Sequence, residues 1–230
     1  MEQGIKMDIK FCITSNVGFS HHTYPVIIPS LTACGVNASN IYFIEGGHTD
    51  RSTHVQDGIN YIKTGHNSVE YTSLIDIVEH NMQADYWVLL HDTCKVGKDF
   101  YTLAQNIPDG CEKVALKHWP SMSIGAYKYS YLKKHTDRLM QIKNTDYSRE
   151  RVQHWKQWGI HNEDYMLWRE SDTPCALYNS HLELKEKFVV CNEAAWYSTS
   201  TTRRVEYYAQ LDLYKSKANW HPKPWMEIDV

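Results

Sequence analysis

Two short apolar runs end in side chains that could do chemistry together. Tyr86 to Leu90 is unbroken by polar residues and stops at His91, Asp92 and Thr93. Ile41 to Ile44 stops at Glu45-Gly46-Gly47-His48-Thr49-Asp50. An uninterrupted apolar run is the pattern of a strand buried on both faces. In open α/β sheets, ligands sit outside the carboxyl ends of such strands. There, a carboxylate flanked by an imidazole and a hydroxyl suits a hard divalent cation that also touches phosphate oxygens. The plainer reading is that Asp92 caps a turn and His91 packs sideways. Thr14 closes a third run, Ile9 to Thr14, and is a candidate cofactor contact.

A further acidic pair, Glu163-Asp164, opens a helical pattern after the amphipathic segment Arg149 to Trp158. A helix N-terminus favours a carboxylate and holds it rigidly. A carboxylate so placed could act as a general base. An ordinary acidic first turn is the alternative. Near the end of the chain, hydroxyls and Arg203-Arg204 precede a helix predicted from Val205 to about Ser216. Hydroxyls and guanidinium groups before a helix can hold phosphate.

The elements that must position these groups follow in order. Ile9 to Thr14 is a strand, then a polar loop around Gly18. Tyr24 to Cys34 has helical spacing and stops at Gly35, with Pro29 marking an irregular turn. Strand, helix and strand with short connections are the grammar of a parallel sheet. Val55 to Lys63 is a strand or short excursion, and Gly65-His66-Asn67 is a turn. Glu70 to Met82 is a helix with Ser68 as its N-cap and an apolar stripe of Leu74, Ile75, Ile77 and Val78. Asp99 to Ile107 is a short helix, and Lys113 to Lys117 a strand. Ser121 to Tyr127 is a glycine-centred turn leading to a helix from Tyr129.

This order of parts resembles the glycosyltransferase-A fold, most of all its inverting, family-two-like members with nucleotide-sugar donors. In those, the second strand runs into an Asp-Asp-Gly-Ser-x-Asp turn, and Glu45 to Asp50 has that shape. Gly65-His66-Asn67 resembles the Asn-containing turn before the long helix. His91-Asp92-Thr93 stands where an acidic tripeptide holds the cation, although its last position is Thr rather than Asp. The resemblance covers roughly residues 8 to 170. It implies that Glu45 contacts the nucleoside, with Thr14, Asn67 and His91 also on the donor. It places His91, Asp92 and His221 around Mn²⁺ or Mg²⁺, and Arg203 and Lys223 on the diphosphate. His221 and Lys223 resemble the C-terminal His and Lys-Pro-Trp of retaining members. Asp164 would be the base, with Glu163 beside it, and the product anomer would be inverted.

Composition sets the bounds. The chain of 230 residues suits one α/β domain: a Rossmann-like, mostly parallel central sheet flanked by helices, with a C-terminal helical tail. Residues 8–120 would form the nucleotide-binding half, 121–198 the acceptor half and 199–230 a clasp. A hydrophobic content of 42% argues against disorder, and a net charge of -3 against a nucleic-acid binder. No apolar run approaches the roughly 20 residues of a membrane helix. The mixed, charged N-terminus does not read as a signal peptide. Six scattered cysteines without a C-x-x-C pair suit free thiols in the cytoplasm. The expected activity is transfer of a sugar from a nucleoside diphosphate to a hydroxyl of a glycan or other acceptor. A nucleotidyltransferase would need a basic, Gly-rich loop after the first strand, and Ser15 to Phe19 is neither. A non-catalytic nucleotide-sugar or glycan-binding domain is favoured by the reduced tripeptide and opposed by Glu163-Asp164.

Overall fold

Side chains of the first strand, β1 (Ile9–Asn16), alternate between two apolar layers. Ile9, Phe11 and Ile13 join one cluster and Cys12 the other, as the two-residue period of a strand requires. The structure is a computed structural model. It describes residues 7–107, 110–115, 124–145, 175–176, 185–190, 202–208 and 211–217.

After β1 come α1 (Ser20–Ala33), β2 (Ile41–Gly46), β3 (Ser52–Gln56), β4 (Ile59–Thr64), α2 (Thr72–Glu79) and β5 (Tyr86–His91). Then follow β6 (Cys94–Val96), α3 (Phe100–Ala104), β7 (Lys113–Ala115), β8 (Gly125–Lys128), α4 (Tyr129–Lys134) and α5 (Thr136–Gln141). The remaining elements are β9 (Cys175–Ala176), β10 (Lys185–Val190), β11 (Thr202–Tyr208) and β12 (Leu213–Lys217). The main sheet has eight strands in the order β3-β4-β2-β1-β5-β8-β7-β9. Its middle, β4-β2-β1-β5, is wholly parallel. Strands β3 and β8 run antiparallel to their neighbours, and β9 runs parallel to β7. The parallel centre with flanking helices is the Rossmann-like α/β arrangement that the apolar runs predict.

Helix α1 covers one face of this sheet with Ile27, Ile28 and Leu31, and α2 covers the other with Leu74, Ile75, Ile77 and Val78. Pro25 and Pro29 of α1 are both exposed, so their rings stand away from the packed stripe. A smaller antiparallel sheet, β10-β11-β12-β6, was not legible in the chain. Its Cys94, Val96 and Leu213 enter the same cluster as α1, so α1 packs between the two sheets. Each such buried Leu or Ile side chain contributes about 1.5–3 kcal/mol.

Several expectations change. The predicted helix from Val205 to about Ser216, within the expected C-terminal tail, is instead the hairpin β11–β12. The spacing of Val205, Tyr208 and Leu211 imitates a helix. However, Asp212 turns the chain at a φ of 50°. Its carboxylate accepts from the Tyr207 hydroxyl at 3.1 Å and from the Asp99 amide at 3.1 Å, and its carbonyl accepts from the Gly97 amide at 2.7 Å. A side chain at Gly97 would collide with that carboxylate. Val55 to Lys63 spans a hairpin, β3–β4, closed by Asp57 and Gly58 at φ of 51° and 80°. Two central residues with positive φ are the mark of a two-residue hairpin turn. Glu70 to Met82 is a 3₁₀ turn over Val69–Tyr71 followed by the shorter α2, and the Ser68 side chain does not cap it. Within Ser121 to Tyr127, Gly125 begins a strand. The segment 149–170, with Glu163 and Asp164, lies outside the described residues. Cys12, Cys34 and Cys94 are free, but Cys111 is disulfide-bonded, against the expectation of free thiols throughout. Among the described residues no helix is long and apolar enough to cross a membrane.

Gly46 ends β2 directly under the turn at His66. A Cβ there would lie 2.7 Å from the His66 carbonyl oxygen and 3.1 Å from Thr72 Cγ2. Backbone cannot retreat cheaply, and overpacking of this kind costs about 1–3 kcal/mol. Gly46→Ala is therefore expected to lower stability by that amount in a urea melt. A wild-type midpoint would show that this approach is not tight.

Candidate functional site

The parallel centre aligns the polar strand ends. Ser15 of β1 pairs in register with Glu45 of β2, and Thr14 with His91 of β5. Phe43 and Leu90 face α1, so Glu45 and Asp92, two residues on, fall on that same face, as does Ser15 after Ile13. Helix α1 begins above them. Its Ser20 and Thr23 are three residues apart and share one side of the helix. The Ser20 hydroxyl donates to Glu45 Oε1. The Thr23 hydroxyl donates to Asp92 Oδ2 at 3.0 Å, and the Ser15 hydroxyl donates to the same oxygen at 2.6 Å. The positive end of the α1 dipole favours both carboxylates. One helical turn thus gathers the two acids.

Glu45 is 5% exposed, and its second oxygen faces His48 Nε2 at 2.7 Å. Burial, then the Glu45 charge beside it, push the Tyr61 phenol up. Burial likewise raises the Asp92 carboxyl, against the opposing pull of the Ser15 hydroxyl, Lys215 and the Thr23 hydroxyl. Lys215 is the group that the sequence did not reveal. It lies on β12 opposite Cys94 of β6, and its ammonium donates to the Thr93 hydroxyl. The Ser216 amide donates to the Thr93 carbonyl at 2.9 Å, which holds β12 to the strand end. Lys215 is 8% exposed. Lysine is almost never so buried without a partner, so its burial beside an acid is the signal that only the fold supplies.

The other expected residues separate. Thr14 points to the opposite face and shares a 2.5 Å hydrogen bond with Ser73. His91 follows Trp87 and Leu89, so its side chain also lies on the α2 face, away from Asp92. Two adjacent residues on opposite faces do not converge on one cation. Among the described residues no group of three or more His, Cys, Asp or Glu could hold a metal, and His221 lies outside them. Within the described residues, His91 and Asp92 are thus not brought onto one ion. Lys223 lies outside the described residues as well. Arg203 sits within β11 opposite Val189, so no helix N-terminus follows it. Asn67 is used internally: its side chain accepts from the Val69 amide at 3.2 Å, and its backbone pairs with Asn144. That bond helps to hold Val69 at a φ of 52°, rare for a β-branched residue.

No family model matches the chain, and no curated protein matches it significantly in sequence.

Beside Asn67, His66 is 1% exposed and its Nδ1 lies 3.1 Å from Ser68 Oγ. Its buried Nε2 has no hydrogen-bond partner among the described residues. Burial first, and the Lys143 cation second, lower its pKa to about 4. The unfolded chain therefore takes up this proton first as pH falls. The stability that neutral His66 supports is complete above pH ~6.5 and is lost as pH falls towards about 4. The loss is on the order of 3 kcal/mol. His66→Gln is expected to flatten that part of the stability–pH curve relative to the native chain. Parallel curves for the two proteins would contradict it.

Proposed function

We propose that this chain is a glycosyltransferase-A-type enzyme that moves a sugar from a nucleoside diphosphate to a hydroxyl acceptor. One observation carries the reading. Glu45 and Asp92, the two strand-end acids of the motif pattern, meet beneath one turn of α1 at the carboxyl edge of four parallel strands. That edge is where open α/β sheets take their ligands. The order of motifs along the chain supports the reaction assigned there.

The roles then differ in detail from the simplest carry-over. Glu45 has both oxygens engaged, so it acts by holding His48 and the start of α1 in place. The His48 side chain, 20% exposed, is the group it presents towards a nucleoside. Asp92 anchors the strand end to which the diphosphate would come. Asp164 is proposed as the base, giving inversion at the sugar. A second reading, a nucleotide-sugar or glycan-binding domain without catalysis, is favoured by one feature. Both strand-end acids are bonded internally rather than converging on a cation.

Uridine or guanosine diphosphate is expected to raise the melting temperature. A ligand at about 100 times its Kd adds roughly 2.7 kcal/mol. Asp164→Asn is expected to keep that shift and to lose transfer by about 10² to 10⁴, the usual contribution of positioned proton transfer. No shift with either nucleotide at millimolar concentration contradicts the donor site. A shift without transfer by the native chain selects the binding domain. Undiminished transfer by Asp164→Asn removes it from the mechanism.

A further inference from the structure

We infer that Lys215 is the resident cation of the strand-end site and binds the diphosphate there, so that diphosphate binding does not depend on a divalent metal. The inference deepens the donor reading above and rests on it.

Three observations lead to it. First, the residues expected to form a metal site diverge. His91 lies on the α2 face, while Asp92 turns to α1 and takes two hydroxyl donors on one oxygen. Second, a positive charge is already built into the same place. The Lys215 ammonium reaches the Thr93 hydroxyl, at the tripeptide position where the pattern would have a metal-binding Asp. Third, the ammonium is under-used. It carries three donors. Among the described residues only the Thr93 hydroxyl accepts one. A buried ion with spare donors is costly unless something meets it, and a hydrophobic side chain would pack β12 against β6 more favourably.

A diphosphate oxygen meets that requirement. It is a strong acceptor, and a charge-assisted hydrogen bond to an ammonium is among the stronger ones available. The surroundings hold the ammonium in place. Lys215 is fixed through the β12–β6 register and the Ser216 amide bond to Thr93. A fixed ammonium is a point charge that can neutralise charge developing on a leaving diphosphate. Thr93 serves as its positioning residue: the hydroxyl accepts one ammonium proton.

Calorimetric titration of the native chain with inorganic pyrophosphate and with guanosine and uridine diphosphates tests this, first in EDTA and then with Mn²⁺. The inference predicts affinity in EDTA within about threefold of that with Mn²⁺. Lys215→Met should weaken pyrophosphate by at least about tenfold, the loss expected for one hydrogen bond to a charged group. Lys215→Arg, which keeps the charge, should stay within a few-fold of the native chain. Binding that EDTA abolishes and Mn²⁺ restores overturns the role of Lys215 and leaves the donor reading standing. So does native affinity in a folded Lys215→Met variant. If Lys215→Met does not fold, the EDTA comparison on the native chain decides. No binding of any probe under either condition overturns the donor reading and this inference together.

Discussion

The first turn of α1 is tied to two acids, and the carboxyl edge of the sheet depends on that tie. Ser20 holds Glu45, the end of β2, and Thr23 with Ser15 holds Asp92, just past the end of β5. Burying a carboxylate costs several kcal/mol unless its oxygens are hydrogen-bonded. The hydroxyls therefore do more than decorate the helix. They set its rotation and its height over β1, because only one register puts Ser20 and Thr23 over strand ends on either side of Ser15. The apolar residues below them, Ile27 and Leu31, then fall onto the sheet.

The second sheet follows from the same arrangement. Strand β6 begins two residues after Asp92, so the strand end runs straight into another ladder. That ladder packs on the far side of α1 and returns β12 to Thr93, bringing Lys215 to Asp92. Asp212, whose two side-chain oxygens and carbonyl are all bonded, locks the β11–β12 turn against Gly97. The site is thus assembled from residues about 120 positions apart, from Thr93 on one side to Lys215 on the other. The buried Asp76, paired with the exposed Arg51, plays a comparable part on the other face. Its two hydrogen bonds of 3.0 and 3.1 Å hold α2 to the chain just before β3.

Much of this was legible in the residues. The apolar runs of β1, β2 and β5 identify the buried parallel centre, and the acids at the end of β2 and just past β5 fall at its carboxyl edge. The buried stripe of α1 was legible through Ile27 and Leu31, although its polar first turn, Ser20 and Thr23, reads as loop until the acids beneath it are seen. Strand β3 was hidden because Ser52 to Val55 are all exposed and show no alternation. Residues 205–216 misled because a strand, a turn and a strand gave a three-residue apolar spacing by coincidence. Lys215 was invisible for a more basic reason. Lysine is nearly always at the surface, and nothing local marks one that long-range pairing buries. The opposite facing of His91 and Asp92 was legible in principle, since adjacent strand residues always diverge.

The central claim is one of place: a diphosphate binds at the carboxyl edge between α1 and β12. Hydrogen–deuterium exchange with and without guanosine or uridine diphosphate tests it most directly. Binding there predicts slowed exchange at residues 15–23, 91–96 and 213–216, with β7 and β8 unchanged. Slowed exchange at β7 and β8 instead, or none at the three edge segments under conditions where the nucleotide binds, would contradict it.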